Sequence, residues 1–214
     1  MWRPYWLTVA MSRVLTVERT MRGAGGMLAL VALAAALVGV GRGLRRPVGR
    51  EAGQPGLMLA PAPLIAASAG FVAAGAVMWR RLPLEVGLRA RALAAGAGGA
   101  GLLSGLGLYL AGLAALGSSY NVSSTFGARL YRDQRLVVSG PYAVVRHPMY
   151  AGLTIAAVGG LFLYRTWTTL AFVAALPVLV VRARREDEVL AQQFGAQWRA
   201  YRDRVPGWIP RGGG

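Results

Sequence analysis

The chain has no cysteine, no lysine and a single histidine, His147. Without cysteine it carries no disulfide framework and no redox thiol. One histidine without cysteine is not a ligand set for structural zinc, and no metal is expected. Carboxylates are scarce as well. There are eight in 214 residues: Glu18, Glu51, Glu85, Asp133, Glu186, Asp187, Glu188 and Asp203. Charged residues of both signs make up 15%, against about a quarter in an average soluble domain.

What is present is apolar sequence in long runs. Hydrophobic residues make up 55% and the mean hydropathy is +0.45. Five runs stand out, at 24–41, 56–79, 92–117, 149–164 and 167–181. Runs of this kind, rather than alternating patterns, predict an all-α integral membrane protein with about five transmembrane helices. The 24 basic residues, all arginine, give a net charge of +16. They crowd the segments between runs, where a membrane protein solvates charge, and no nucleic-acid-binding motif accompanies them. We therefore expect membrane lipids as partners and no nucleic acid. The whole chain, 1–214, is expected to form one membrane domain. In it 1–117 supplies three spans, and 118–214 a polar loop, a helical hairpin and a C-terminal helix.

Residues 1–22 mix Trp2, Tyr5 and Trp6 with Arg3, Arg13, Arg19 and Arg22. That is too aromatic and too charged for a signal peptide, and predicts an interfacial lead-in. Residues 51–56 carry glycine and proline and read as a loop. The third run is rich in glycine, and Gly101 and Gly105 have the small-xxx-small spacing of close helix contact in lipid. The segment 118–147 is polar, with Leu136-Val137-Val138 as a short extended piece. Only Arg165 and Thr166 separate the fourth and fifth runs, which forces an antiparallel hairpin. Pro177 should kink its second arm. Beyond Arg182, the spacing of Leu190, Phe194, Trp198, Tyr201 and Val205 predicts an amphipathic interfacial helix packed on the hairpin, ending at Pro206-Gly207. With five spans and a cytoplasmic tail, fifteen arginines fall on the tail's side and nine on the other, which supports that orientation.

Two polar groups lie on one side of the membrane under either orientation. The first is SGPYAVVRHPMYAG, 139–152. Pro148 suits a first helical position, so His147 lies where the fourth span begins, with free backbone N–H groups just after it. Such a start favours a carboxylate or phosphate. Arg146 adds a cation, and Tyr142 and Tyr150 add flat faces with hydroxyls. The bland alternatives are a structural histidine and an arginine anchored at the membrane surface. The second group is Arg185-Glu186-Asp187-Glu188. Its bland reading is a solvated helix face with i,i+4 pairs Arg182–Glu186 and Arg184–Glu188. A two-span hairpin brings its two outer ends together, so the groups should be neighbours around a ligand bearing both signs of charge.

These segments resemble the isoprenylcysteine carboxyl methyltransferase and phospholipid methyltransferase group of membrane enzymes. Leu136-Val137, GPY (140–142), RHPMY (146–150) and Gly152 are similar to that group's first signature. The tail EDEVLAQQFGAQWRAYRDRVPGWIP, 186–210, is similar to its second. The resemblance covers about 75 residues. It implies methyl transfer from S-adenosylmethionine to a lipophilic small-molecule, lipid or prenylcysteine-type acceptor. Carried over by position, Arg146, His147, Pro148 and Tyr150 line the cofactor pocket and Gly140, Pro141 and Tyr142 shape its wall. Glu186 and Asp187 match an acid pair. Asp187 stands where the group usually has a second glutamate, and Glu188 is the alternative for that position. Tyr120-Asn121 falls near a further pocket position. No residue is assigned as a catalytic acid or base, since in-line displacement needs alignment more than proton transfer. The absence of alternating strand and helix patterns excludes a soluble doubly wound methyltransferase. The competing reading is a non-catalytic lipid-binding or assembly protein on the same scaffold. A transporter would carry charge inside its spans, and none of the five runs does. The alanine, glycine and arginine bias points to a bacterial inner membrane.

Overall fold

A computed structural model describes residues 5–43, 48–53, 69–70, 73–120, 127–131 and 134–210. Helix α1 (Tyr5–Gly43) runs unbroken for 39 residues, about 58 Å at 1.5 Å per residue. That is about twice what a bilayer core requires. From Tyr5 on, the expected interfacial lead-in is therefore the first half of one helix. Arginine is a good helix former, so the charges mark where the helix leaves the membrane and not where it starts.

Helix α2 (Leu88–Leu116) continues into a 3₁₀ turn at Gly117–Ser119. After it come α3 (Pro148–Tyr164), α4 (Trp167–Ala174) and α5 (Leu176–Arg204). Strands β1 (Val48–Gly53) and β2 (Gly127–Tyr131) pair antiparallel, with Glu51 opposite Arg129, and the ribbon touches α5. The sequence reads as loop where β1 forms, because a short ribbon closed by a partner more than seventy residues away has no local signature. Residues 136–138 adopt no regular structure.

Among the described residues, three helical stretches are long and apolar enough to cross a membrane: Thr8–Arg42, Leu88–Ser119 and Trp167–Arg204. Pro148–Tyr164 is apolar but shorter, about 26 Å. Most of the second run, 56–79, lies outside the described residues. Leu30, Leu33 and Leu37 of α1 and Phe162 of α3 are exposed, a surface that suits lipid chains. The protein is an all-α integral membrane protein with one small ribbon.

The core lies where α1, α2 and α3 meet, around Ala32, Leu102, Leu106, Tyr109, Leu113, Ala156 and Leu163. The glycine spacing of the third run is used there. A Cβ added to Gly152 of α3 would lie 2.5 Å from the Gly105 carbonyl oxygen and 2.7 Å from the Tyr109 nitrogen of α2. The two backbones are in direct contact, and only glycine allows that approach.

The hairpin link is Arg165-Thr166, as the sequence predicts. Arg165 closes α3 in the left-handed conformation (φ 55°). Thr166 caps α4: its hydroxyl accepts from the Thr169 N–H at 3.2 Å, and the Thr169 hydroxyl accepts from the Thr166 N–H at 3.1 Å. The expected kink is a break between α4 and α5 at Ala175. Pro177 accounts for it, because in a continuous helix its ring would clash with the carbonyl of Val173 and it has no N–H to donate.

The tail is helical, as expected, and it is set off from the rest of α5 by a break. The break is at Gly195 (φ 50°, ψ −116°), a conformation essentially restricted to glycine, and the helical residues after it carry Trp198 and Tyr201. Protein covers much of the tail's apolar face. Trp198, Tyr201 and Val205 are buried against Leu136, Leu190 and Phe194. At the other end of the bundle, buried Glu18 of α1 is bonded by Arg22, by Arg91 of α2 and by Arg165 of the hairpin link.

Candidate functional site

The junction before α3 is built by backbone constraints. Gly140 takes a positive φ of 61° and Pro141 fixes the following residue, opening a 3₁₀ turn over Gly140–Ala143. Tyr142 is thereby turned inward. Its carbonyl accepts from the buried Tyr201 hydroxyl at 2.7 Å, which ties the junction to α5. Burial pushes the Tyr142 phenol well above its ordinary range, and the charge of Glu186 pushes it further, so it stays protonated. Pro148 occupies the first position of α3, with His147 as its N-cap residue.

The next contacts have no counterpart in the sequence reading. The N–H groups of Arg146 and His147 donate to the carbonyls of Pro206 and Gly207, at 2.8 and 3.0 Å. The segment after α5 thus folds back over the start of α3. Trp208 follows, with its ring 6.0 Å from those of both His147 and Tyr150.

The two polar groups meet. Arg146 Nη2 donates to Asp187 Oδ2 at 3.2 Å, and His147 Nε2 lies 2.9 Å from Asp187 Oδ1. A carboxylate oxygen only accepts, so Nε2 is the donor. The Tyr150 hydroxyl donates to the Glu186 carboxylate. The Arg146 guanidinium lies over the Trp198 ring at 5.6 Å, and Nη1 donates to the Arg202 carbonyl at 3.3 Å. The Arg182 guanidinium sits 5.5 Å from the Tyr150 ring centre. Glu188 is exposed and makes no ion pair among the described residues. Of the two acids weighed for the second position, Asp187 is the one that reaches the junction.

A cavity of about 220 Å³ opens between these elements. Tyr142, Arg146, His147, Tyr150 and Glu186 line it. Asp187 does not: it holds Arg146 and His147 from behind. Gly140, Pro141 and Pro148 shape the backbone without lining the cavity. Tyr120 lines it, while Asn121 lies outside the described residues. The cavity also recruits Tyr109 of α2, Gln134, and Arg182, Trp198 and Tyr201 of α5. Trp198 and Tyr201 belong to the apolar stripe legible in the tail. Tyr109 sits in an apolar run with nothing to mark its polar end. Leu136, Val137, Val189 and Leu190 complete an apolar wall.

An apolar helical scaffold whose cavity is lined by charged side chains of both signs defines an integral membrane protein with a candidate site at the ends of its helices. Residues 95–197 match the phospholipid methyltransferase family. The chain is 35% identical over 107 residues to the protein-S-isoprenylcysteine O-methyltransferase of Schizosaccharomyces pombe, covering 49% of this chain and 45% of that one. It is 34% identical over 84 residues to protein-S-isoprenylcysteine O-methyltransferase B of Arabidopsis thaliana, covering 38% of this chain and 43% of that one. This part of the chain is similar to phospholipid and isoprenylcysteine methyltransferases, and it takes in the first of the two motifs and the start of the second. The chain spans less than half the length of these curated relatives. The family match begins at residue 95, earlier than the motifs, and takes in α2. That helix is bound to α3 through Gly105 and Gly152 and contributes Tyr109 to the cavity.

Proposed function

We propose that the chain is an integral-membrane methyltransferase that takes its methyl group from S-adenosylmethionine and passes it to a lipophilic acceptor. One observation carries this reading. The two segments that resemble the family's signatures meet, Arg146 and His147 on Asp187 and Tyr150 on Glu186, around a cavity with an apolar wall.

The residues present fit the cofactor. Arg146 is a cation at the cavity with a buried Nε that has no hydrogen-bond partner among the described residues, and it suits the amino-acid carboxylate. Glu186 suits the ammonium group or the ribose hydroxyls. Tyr142, Tyr150 and Trp198 offer faces to the adenine. When bound, S-adenosylmethionine supplies a methyl group on a sulfonium, open to in-line displacement. The chain's own part is alignment. Asp187 fixes the Arg146 guanidinium and the His147 ring, and Glu186 orients the Tyr150 hydroxyl. The apolar wall excludes water, which favours a displacement that neutralises charge. No side chain is required to move a proton when the acceptor atom is anionic.

Acceptors on this reading are prenylcysteine-type carboxylates, phospholipids and other lipophilic molecules. The cavity and tail face the cytoplasm of a bacterial inner membrane, a placement supported by the excess of arginine on that side. The test is incubation of the purified protein with methyl-labelled S-adenosylmethionine and fractionated membrane lipids. Label recovered in one lipid class supports the reading and identifies the acceptor. Saturable lipid binding without label transfer supports the non-catalytic alternative.

A further inference from the structure

We propose that the arginines gathered around Glu18 form a binding site for the phosphate headgroup of an anionic phospholipid, on the membrane face opposite the cavity. The two sites lie at opposite ends of the same helices. His147 precedes α3 and Arg165 follows it, with about 26 Å of helix between them. That distance is close to the thickness of a bilayer's hydrocarbon core, so both ends of α3 lie at headgroup level.

The cluster is unbalanced in charge. Glu18 is 2% exposed and is the carboxylate on which three guanidinium groups converge: Arg22 at 2.7 Å, Arg91 at 2.6 Å, and Arg165. One negative charge faces three positive ones. Arg81 adds a fourth, since its backbone pairs with Thr166 beside Arg165 and its side chain is exposed. A buried carboxylate that only tied helices together would be served by one or two arginines. The surplus calls for an anion from outside the protein.

The donors are there for one. Arg22 spends Nε and Nη2 on the Leu163 carbonyl, and Arg165 spends Nη1 on the Phe162 carbonyl. Arg91 engages Glu18 through Nε alone. Its two terminal nitrogens have no hydrogen-bond partner among the described residues, and its side chain is 31% exposed. Guanidinium groups present such N–H pairs in the geometry that phosphate oxygens accept.

Depth selects a lipid phosphate over a dissolved one. Arg22 lies two residues before the apolar run of α1, Arg91 immediately before that of α2, and Arg165 immediately after that of α3. All three therefore sit at the boundary where headgroups are concentrated. Trp79, exposed and 5.3 Å from the Tyr164 ring, supplies an interfacial aromatic, and exposed Phe162 and Leu93 flank the cluster with apolar surface for acyl chains.

The experiment is native mass spectrometry of the detergent-purified protein, titrated with phosphatidylglycerol or phosphatidylcholine and scored for retained lipid. The wild type is expected to retain phosphatidylglycerol in preference to phosphatidylcholine. Arg91→Gln should weaken that retention about tenfold, the equivalent of one charge-assisted hydrogen bond. Arg81→Gln does not touch Glu18, so it folds normally and should still weaken retention. Equal retention of the two lipids by the wild type, or undiminished retention by both variants, overturns the proposal. So does millimolar inorganic phosphate displacing the lipid, since the site would then hold a soluble anion.

Discussion

Asp187→Asn is the perturbation most informative about the cavity, because it keeps the side chain's shape and removes its charge. Asp187 Oδ2 accepts from Arg146 at 3.2 Å and Oδ1 accepts from His147 at 2.9 Å. Asparagine keeps one acceptor oxygen for His147 and turns an amide N–H donor toward Arg146, whose guanidinium has no acceptor for it. The loss is one hydrogen bond between charged groups. Such bonds contribute about 1.5–3 kcal/mol, and here the side chains are 15% and 24% exposed, so solvent screening removes part of that. A loss of about 1–2 kcal/mol remains, a factor of roughly 5–30 in any equilibrium that needs Arg146 in place. The assay is calorimetric titration of S-adenosylmethionine in detergent, with thermal unfolding as a control. We expect a dissociation constant raised by that factor and a small change in Tm. Unaltered affinity refutes the positioning role. A lowered Tm with unaltered affinity means that Asp187 serves the fold alone. Asp187→Leu should be far worse, because it leaves the Arg146 guanidinium buried without its carboxylate, a change that costs about 3–5 kcal/mol.

Two further predictions concern the scaffold. Gly152→Leu drives a side chain into the α2 backbone and should destabilise the protein by about 1–3 kcal/mol or more, whereas Gly160→Ala, whose Cβ would meet nothing nearer than 3.9 Å, should be tolerated; thermal unfolding in detergent separates the two. Gly195→Ala puts a Cβ on a backbone conformation that costs about 1–3 kcal/mol, so it should either lower Tm by that much or straighten α5 and move Trp198 and Tyr201 off the cavity wall, which tryptophan fluorescence would register.

Much of this arrangement is legible in the sequence, for identifiable reasons. The hairpin follows from two residues, Arg165 and Thr166, between two apolar runs. The start of α3 follows from Pro148, and the break after α4 from Pro177. The meeting of Arg146 and His147 with Asp187 follows from the hairpin's topology. What escaped notice depends on contacts without local pattern. Glu18 is an isolated acid in the lead-in, and two of its arginines lie 73 and 147 residues away. The clamp of Pro206 and Gly207 on the junction uses backbone carbonyls, which every residue has. The amphipathic stripe of the tail is legible in the sequence, but its partner is not. Periodicity gives a helix an apolar face without saying whether lipid or protein covers it, and here Leu136 and the cavity wall do.

On the proposed function, the junction and the acid pair are two halves of one cofactor site. Calorimetric titration of S-adenosylmethionine into the detergent-solubilised wild type and into Glu186→Ala and His147→Ala tests it most directly. Saturable binding in the wild type that is lost in both variants is the predicted result, and binding of equal strength in all three would contradict it.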